Sequence, residues 1–229
     1  MLRYLLQTPR STPIPALFWD FGVLPIEHRV ENKKLNFLKH IVSLDDNSLA
    51  KQVFNTQREF NFPGFVNETR NLIKIFDLPD ITKSHIHKQW PKRKWKKVVK
   101  SNINEKCEND LKIKIKNMKK LKSGPMAEES ESFSQKQYLS EMTVTDARVN
   151  FKLRSQMLDV KYNYSHDPKY TSDLWKCDSC QSAIETQSHI LWCPSYSDLR
   201  IGKDINNDKD LINYIKSVMK ARDNLNLIK

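Results

Sequence analysis

The sequence predicts a mainly α-helical protein with a small metal-binding element near its C-terminal end. Only 4 of the 229 residues are glycine. Because tight hairpin turns need residues at positive φ, so few glycines disfavour a sheet built from short hairpins. Apolar residues recur at intervals of three and four along most of the chain, which indicates helices. Three cysteines and a histidine between residues 177 and 193 indicate a metal site.

Residues 1–88 are predicted to form a helical N-terminal segment. Pro25 can occupy the first position of a helix, and the apolar residues of 26–41 then keep helical spacing. Asp45 or Asp46 is expected to cap the helix that follows. A further short helix is expected after the Pro-Gly pair that interrupts the pattern.

Residues 89–122 form a basic stretch. Between Lys92 and Lys122 there are thirteen Lys or Arg and three acidic residues, which is +10 of the net charge of +12. Lysines beside Trp90 and Trp95 are typical of a surface that contacts phosphates and stacks bases. A solvated helix face or a basic linker is the alternative interpretation. The candidate phosphate ligands are Lys92, Arg93, Lys94, Lys96 and Lys97, with Lys119, Lys120 and Lys122 as second choices.

The rest of the chain divides into a linker and a second helical part. Residues 123–134 are polar and acidic, and they are interpreted as a flexible linker. Residues 135–229 are predicted to be helical, with Thr145 capping one helix and Asp208 or Asp210 capping the last.

A C-x2-C-x8-H-x3-C pattern predicts the metal site within residues 175–196. A CxxC pair can aim two thiolates at one point, and a His and a Cys four residues apart share one face of a helix. Four nitrogen and sulfur ligands suit a tetrahedral Zn²⁺ and leave no open position, so the ion is expected to be structural. The alternative is three reduced cysteines beside a surface histidine. The predicted ligands are Cys177, Cys180, His189 and Cys193. 

Composition excludes several classes of protein. No apolar run approaches the ~18 residues of a membrane span. The apolar start is too short for a secretory signal, and clustered cysteines suit a reducing compartment. The chain is therefore expected to be intracellular, nuclear or cytoplasmic, with no membrane partner.

Several motifs occur in a recognisable order along the chain: Ser11-Thr12-Pro13, Leu24-Pro25-Ile26, RVENKKLNFLKHIVSLDD at residues 29–46, FKLRSQM at 151–157 and the Cys/His segment at 177–196. These motifs resemble non-LTR retrotransposon reverse transcriptases, in the region that follows the polymerase core. The resemblance extends from about residue 2 to residue 222. It implies that residues 1–88 are thumb-like and that the C-terminal end helps to bind RNA or single-stranded DNA. It also makes a polymerase core a candidate partner.

The sequence lacks the catalytic signature that such a polymerase needs. A palm sheet must present carboxylates to two Mg²⁺ ions. The only Asp-Asp pair, Asp45-Asp46, lies between two helical patterns and lacks the aromatic residue of the family's hairpin. The chain is therefore expected to be a non-catalytic, zinc-containing nucleic-acid-binding fragment.

Three alternatives remain open at the level of sequence. The first is a protein-interaction module in which zinc only braces helices. The second is a zinc hydrolase or nuclease with Glu185 as its base, which a closed coordination sphere disfavours. The third is a remnant without a selected role. Trp175 and Trp192 could stack on bases or pack around the metal element.

Overall fold

The computed structural model describes residues 2–122, 124–128, 132–164 and 172–226. Its α-helices are α1 (Leu2–Leu5), α2 (Ile14–Phe21), α3 (Ile26–Val42), α4 (Leu49–Glu59), α5 (Phe65–Ile75), α6 (Ser84–Gln89), α7 (Lys92–Asn117), α8 (Pro125–Glu128), α9 (Tyr138–Glu141), α10 (Val144–Arg154), α11 (Gln187–Trp192), α12 (Ser197–Arg200) and α13 (Asp208–Asn226). Short 3-10 helices lie at Lys161–Tyr164, Ser172–Trp175 and Pro194–Tyr196.

The predicted mainly α-helical class is confirmed. The described residues contain no β-strand, and their one β-bridge is an isolated antiparallel pair between Lys176 and Ile184. None of the helices among the described residues is both long and apolar enough to cross a membrane.

The chain forms two compact units. One comprises Gly22–Ile113, and the other joins Met1–Phe21 to Lys114–Lys229. The expected boundaries at residues 88, 122 and 134 do not coincide with these units. The difference arises because the basic stretch is largely a helix that contributes to a core, whereas its composition suggested a separate segment.

The unit Gly22–Ile113 has a core between α3, α4, α5 and the first half of α7. Leu35 and Leu38 of α3 are fully buried, and Phe54 is the buried residue of α4. Full burial of each such side chain contributes roughly 1.5–3 kcal/mol. The first turns of α3 differ from the prediction, because Ile26 and Val30 are exposed and take no part in this core.

Helix α7 runs without interruption through the basic stretch. Its buried residues are Trp95, Val99, Ile103, Cys107, Leu111 and Ile115. Each follows the last by four residues, so the buried stripe turns by about 40° per step and by about 200° over the whole series. A stripe that drifts in this way gives a weak helical periodicity. Residues 112–116, where lysine and isoleucine alternate, belong to this helix and form no strand.

The cap predicted for α4 is wrong. Ser48 precedes the first helical residue, and its hydroxyl accepts from the backbone N–H of Lys51 at 3.3 Å. Asp45 instead closes a local turn, with its Oδ1 accepting from the N–H of Asn47 at 2.8 Å. Asp46 is exposed in the same turn. The aspartates are too early in the chain to reach the N–H groups at the start of α4.

Two caps in the C-terminal part are also displaced. Thr143, and not Thr145, caps α10. Asn207, which precedes Asp208 and Asp210, accepts from the backbone N–H groups two and three residues after it. In both cases the residue immediately before the helix makes the cap, as cap geometry requires.

The predicted linker at residues 123–134 contains a helix. Residues 125–128 form α8, and Met126 within it is buried. Residues 123 and 129–131 lie outside the described residues.

The second unit has a core that includes the predicted metal ligands. Leu153 of α10, Ile190 of α11 and Ile215 of α13 pack together with Cys177 and Cys193. The spacing of the cysteines and the histidine along the sequence could not show that these residues share a core with α13.

A buried ion pair joins other helices of this unit. The Asp20 carboxylate of α2 is fully buried, and it accepts from Arg154 of α10 at 3.1 Å and from the Tyr138 hydroxyl of α9 at 2.6 Å. These bonds tie the N-terminal segment of the chain to the helical part more than a hundred residues later.

Candidate functional site

The first two cysteines of the predicted metal site lie in a tight turn. The N–H of Cys177 donates to the carbonyl of Ala183 at 2.9 Å, and the N–H of Gln181 donates back to the carbonyl of Cys177 at 2.9 Å. Gln181 has a φ of 55°, in the left-handed region that closes such a turn. The fold of the chain here brings Cys177 and Cys180 to the same side.

Helix α11 supplies the other two ligands. The Thr186 hydroxyl caps this helix by accepting from the N–H of His189 at 3.0 Å, which fixes the histidine in the first turn. Cys193 ends the helix, and Pro194 follows it in a 3-10 turn. Because His189 and Cys193 are four residues apart, their side chains reach the same point.

The four candidate ligand atoms lie close enough together to bind one metal ion. The three sulfurs and the imidazole nitrogen all lie within 4.8 Å of one another. The Sγ atoms of Cys177 and Cys193 are 3.9 Å apart, and Cys180 Sγ is 3.3 Å from His189 Nε2. A tetrahedron with zinc–sulfur bonds of ~2.3 Å and a zinc–nitrogen bond of ~2.05 Å requires about 3.8 Å and about 3.6 Å. The two distances are therefore close to those expected around Zn²⁺, and the cluster is consistent with a zinc site.

Hydrogen bonds favour the thiolate form of one ligand. Burial raises the pKa of Cys180, but hydrogen bonds from the hydroxyl and the backbone N–H of Ser182, together with those of Cys193 and Cys177, outweigh burial and bring the pKa to about 6. Burial raises the pKa of Cys193 to about 11. A bound cation would favour the thiolate at both positions, because coordination deprotonates a thiol.

The surrounding residues hold the ligand helix against α13. The Tyr214 hydroxyl of α13 donates to the carbonyl of Ile190 at 2.8 Å. Arg200 donates to the carbonyl of Cys193 at 3.0 Å. Both bonds satisfy carbonyls at the end of α11, which have no partner within so short a helix.

Glu185 is a structural residue of this site. Its carboxylate is fully buried, and it accepts from Arg222 at 2.7 Å and from the N–H of Lys161 at 3.1 Å. Glu185 is not a member of the cluster of possible metal ligands. The ion pair with Arg222 was not predicted, because these two residues are 37 positions apart and only tertiary packing joins them.

The two tryptophans near the metal site differ in exposure. Trp192 is 66% exposed. Trp175 is partly buried, and its ring meets that of Tyr162 edge-on at 6.4 Å. Of the two, Trp192 is the more exposed.

The first choices for phosphate contact all lie on the surface of α7. Lys92, Arg93, Lys96 and Lys97 are exposed, and so is Lys100, which the sequence-based choice omitted. We call these five residues the basic face of α7. Lys92, Lys96 and Lys100 follow at intervals of four, and Arg93 and Lys97 form the row beside them. Together they span about 140° of the helix circumference.

The basic face has no internal counter-charge. None of its five residues forms an ion pair with a carboxylate among the described residues. By contrast, Lys106 and Lys112 further along α7 pair with Asp110 at 3.4 Å and Glu108 at 2.7 Å.

Lys94 differs from the residues of the basic face because it lies against an aromatic ring. Lys94 is exposed, and its ammonium lies 4.3 Å from the centre of the Trp90 ring. Trp95 is completely buried, and its Nε1–H donates to the carbonyl of Leu35 at 3.0 Å. The proposed base-stacking role is therefore wrong for Trp95, because no face of its ring is accessible.

The second-choice phosphate ligands, unlike the basic face, belong to the unit that contains Lys114–Lys229. Lys119 and Lys122 are exposed. Lys120 is partly buried, and its ammonium lies 3.9 Å from Met157 Sδ and 3.5 Å from Asn163 Oδ1. Burial lowers the pKa of Lys120. This lysine is less suited than the exposed ones to contact a phosphate.

Comparisons of the chain with protein-family models, with curated proteins and with solved structures find no match.

Proposed function

We propose that this chain binds single-stranded RNA or DNA without catalysing a reaction on it, and that a structural Zn²⁺ occupies the Cys₃His site. This is the function expected from the resemblance to the C-terminal region of non-LTR retrotransposon reverse transcriptases. The observation that carries the proposal is the basic face of α7, with five exposed cations and no carboxylate partner.

The arrangement of these cations suits a phosphate backbone. Four of the five are lysines, which act as point charges and lack the planar fork with which arginine reads base edges. Contacts of this kind position a strand and carry little sequence information. Binding is therefore expected to be weakly selective and strongly dependent on salt.

The size of the salt effect follows from the number of contacts. Five phosphate contacts on a single strand give a slope of about −3.5 for log K against log [salt]. A fourfold rise in salt should then weaken binding about 100-fold. If Lys96 and Lys97 are both replaced by alanine, the slope should fall to about −2.1 and the same rise in salt should weaken binding only about 20-fold.

The test is a fluorescence-anisotropy titration of a labelled single-stranded oligonucleotide at several salt concentrations. The matched control is the double substitution of Lys106 and Lys112, which removes two lysines of the same helix that are already paired with acids. The control should keep a slope close to that of the unmodified chain. Binding that is absent, that ignores salt, or that falls equally in both double variants would reject the proposal.

The proposed zinc has no catalytic role, because all four ligands come from the protein. A catalytic zinc keeps a position open for water or substrate. Here three sulfurs and one nitrogen lie within 4.8 Å of one another, and four protein ligands would fill a tetrahedral coordination sphere. The ion would instead hold the Cys177–Cys180 turn against α11, with an apparent binding free energy on the order of 10 kcal/mol.

An exposed apolar stripe supports protein interaction as a second candidate function. Ile26, Val30 and Phe37 lie at helical intervals along α3, and all three are exposed. We propose a polymerase core as the partner of this stripe. Sedimentation of the isolated chain over a range of concentrations is the test. If the isolated chain self-associates and Ile26→Lys abolishes the association, the apolar stripe of α3 is supported as a surface that normally contacts a partner. A monomer at every concentration would argue against it.

A further inference from the structure

A second positively charged feature lies in the unit Gly22–Ile113. It is a cleft with a volume of about 560 Å³, bordered by the end of α3, by α4 and by α6. The charged residues that line it are predominantly cations. They are Lys51, Arg58, Arg70, Lys83 and Lys88, against Asp46 and Asp80.

Two cations of the cleft donate hydrogen bonds to backbone carbonyls. Lys51 donates to the carbonyl of Val42 at 2.6 Å, and Arg58 donates to the carbonyl of Thr82 at 2.9 Å. None of the five cations that line the cleft forms an ion pair with a carboxylate among the described residues. The cleft therefore keeps an excess of positive charge, and no ion pair among the described residues neutralises its cations.

A buried lysine adds to this excess. Lys39 of α3 is only 5% exposed, and its ammonium donates to the carbonyl of His87 at 3.2 Å. Burial and then the charge of Lys51 lower the pKa of Lys39. A buried cation with a carbonyl as its acceptor and a second cation nearby is unusual, because buried charges are normally paired.

His87 is the titratable group at the centre of these charges. The Ser43 hydroxyl has a single proton, which it donates to the carbonyl of Lys39 at 2.6 Å. His87 Nε2, 3.1 Å away, must therefore be the donor to Ser43 Oγ. A second proton would go to Nδ1, which has no hydrogen-bond partner among the described residues.

The neighbouring charges oppose that second proton. Burial comes first, followed by Lys39 of α3, Lys51 of α4 and Lys88 of α6, and together they lower the pKa of His87. The cleft thus holds a histidine whose protonation is disfavoured by cations on three helices. An anion placed among these groups would offset the repulsion and reverse the effect.

We propose that this cleft binds a phosphate group and that His87 takes up a proton from solvent at Nδ1 when it does. Phosphate suits the cleft better than a carboxylate, because a phosphate monoester carries close to two negative charges near neutral pH and offers three strong acceptor oxygens. Arginine and lysine side chains are the usual partners of such a group. The site is distinct from the basic face of α7, and it does not require the chain to bind a polynucleotide.

The test is an NMR titration of the full, metal-loaded chain with inorganic phosphate at constant ionic strength. The imidazole signal of His87 is assigned by its loss in His87→Gln. Phosphate should move this signal and raise the pKa of His87 by about one unit. Binding of the phosphate dianion, corrected for the protonation of phosphate itself, should therefore be tighter just below neutral pH than above it. A His87 signal that ignores phosphate, or that moves equally with added chloride, would overturn the proposal.

Substitutions provide an independent measurement. Lys51→Ala should weaken phosphate binding about tenfold, the order expected for one charge-assisted hydrogen bond. Lys88→Ala, an exposed position that folding should tolerate, should weaken it in the same direction. Lys74→Ala is the matched control, since Lys74 is an exposed lysine of the same unit outside the cleft. Equal effects of all three substitutions would contradict a localised site.

Oligonucleotides with and without a 5′-phosphate identify the source of the phosphate. A response of His87 to the phosphorylated strand alone supports recognition of a terminal phosphate, whereas a response to both supports recognition of phosphodiesters. No response to either strand, together with none to inorganic phosphate, overturns the proposal. A failure of the proposed nucleic-acid binding would appear separately, in the anisotropy titration of the α7 variants.

Discussion

The buried indole of Trp95 decides between packing and base stacking in the basic stretch. Trp95→Phe removes the hydrogen bond from Nε1 to the carbonyl of Leu35 and leaves space in a fully buried site. Because Leu35 lies within α3, its carbonyl is expected to keep its helical hydrogen bond. The lost bond should cost about 1 kcal/mol and the lost packing about 1–2 kcal/mol. We therefore expect the free energy of unfolding to fall by about 2–3 kcal/mol.

Urea unfolding followed by circular dichroism measures this change. Trp192→Phe is the control, because an indole that is 66% exposed should contribute within about 0.5 kcal/mol. At a temperature where the Trp95→Phe chain is folded, its affinity for a single-stranded oligonucleotide should equal that of the unmodified chain. A variant with unchanged stability and reduced oligonucleotide affinity would refute the packing role.

Three further predictions concern the metal site and its supports. Cys180→Ser should lower the zinc content measured by atomic emission and destabilise the unit that holds the site, and an unchanged zinc content would contradict the ligand assignment. Arg222→Met should lower the free energy of unfolding by about 3–5 kcal/mol in urea unfolding, because it leaves the Glu185 carboxylate buried without its partner, and Glu185→Gln in the same chain should restore part of the loss. Thr186→Ala should cost about 0.5–2 kcal/mol and weaken zinc binding in a chelator competition, because His189 loses the cap that positions it. A Thr186→Ala chain with full stability and full zinc affinity would show that the cap is dispensable.

Local signals in the sequence were sufficient for the metal ligands. Cys177 and Cys180 depend on one turn, and His189 and Cys193 depend on one short helix. Each pair is therefore placed by contacts between close neighbours in the chain. The prediction that all four come together is confirmed by the structure, within 4.8 Å.

Features that depend on tertiary packing could not be predicted in this way. The buried stripe of α7 drifts around the helix, so the part that faces the core changes from turn to turn. Composition therefore placed Trp95 with the surface lysines beside it, although its ring is buried. The cleft likewise combines residues of α3, α4 and α6, and no spacing in the sequence brings Lys51 and His87 together.

The two positively charged surfaces and the candidate metal site belong to different units of the chain. The basic face of α7 and the cleft are both in Gly22–Ile113, and Lys88 of the cleft is only four residues before Lys92, which limits their Cα separation to roughly 14 Å. The metal ligands are all in the other unit. If binding depends on the charges of Gly22–Ile113, it should not depend on the metal.

Removal of the metal tests this division of roles. After chelation, the chain should lose helical signal from the unit that holds the Cys₃His site. The slope of log K against log [salt] for oligonucleotide binding should stay at about −3.5. Readdition of Zn²⁺ serves as the control for irreversible damage. Loss of oligonucleotide binding that returns with Zn²⁺ would instead place the nucleic-acid contact in the unit that holds the Cys₃His site, where Trp192, Lys119 and Lys122 are exposed.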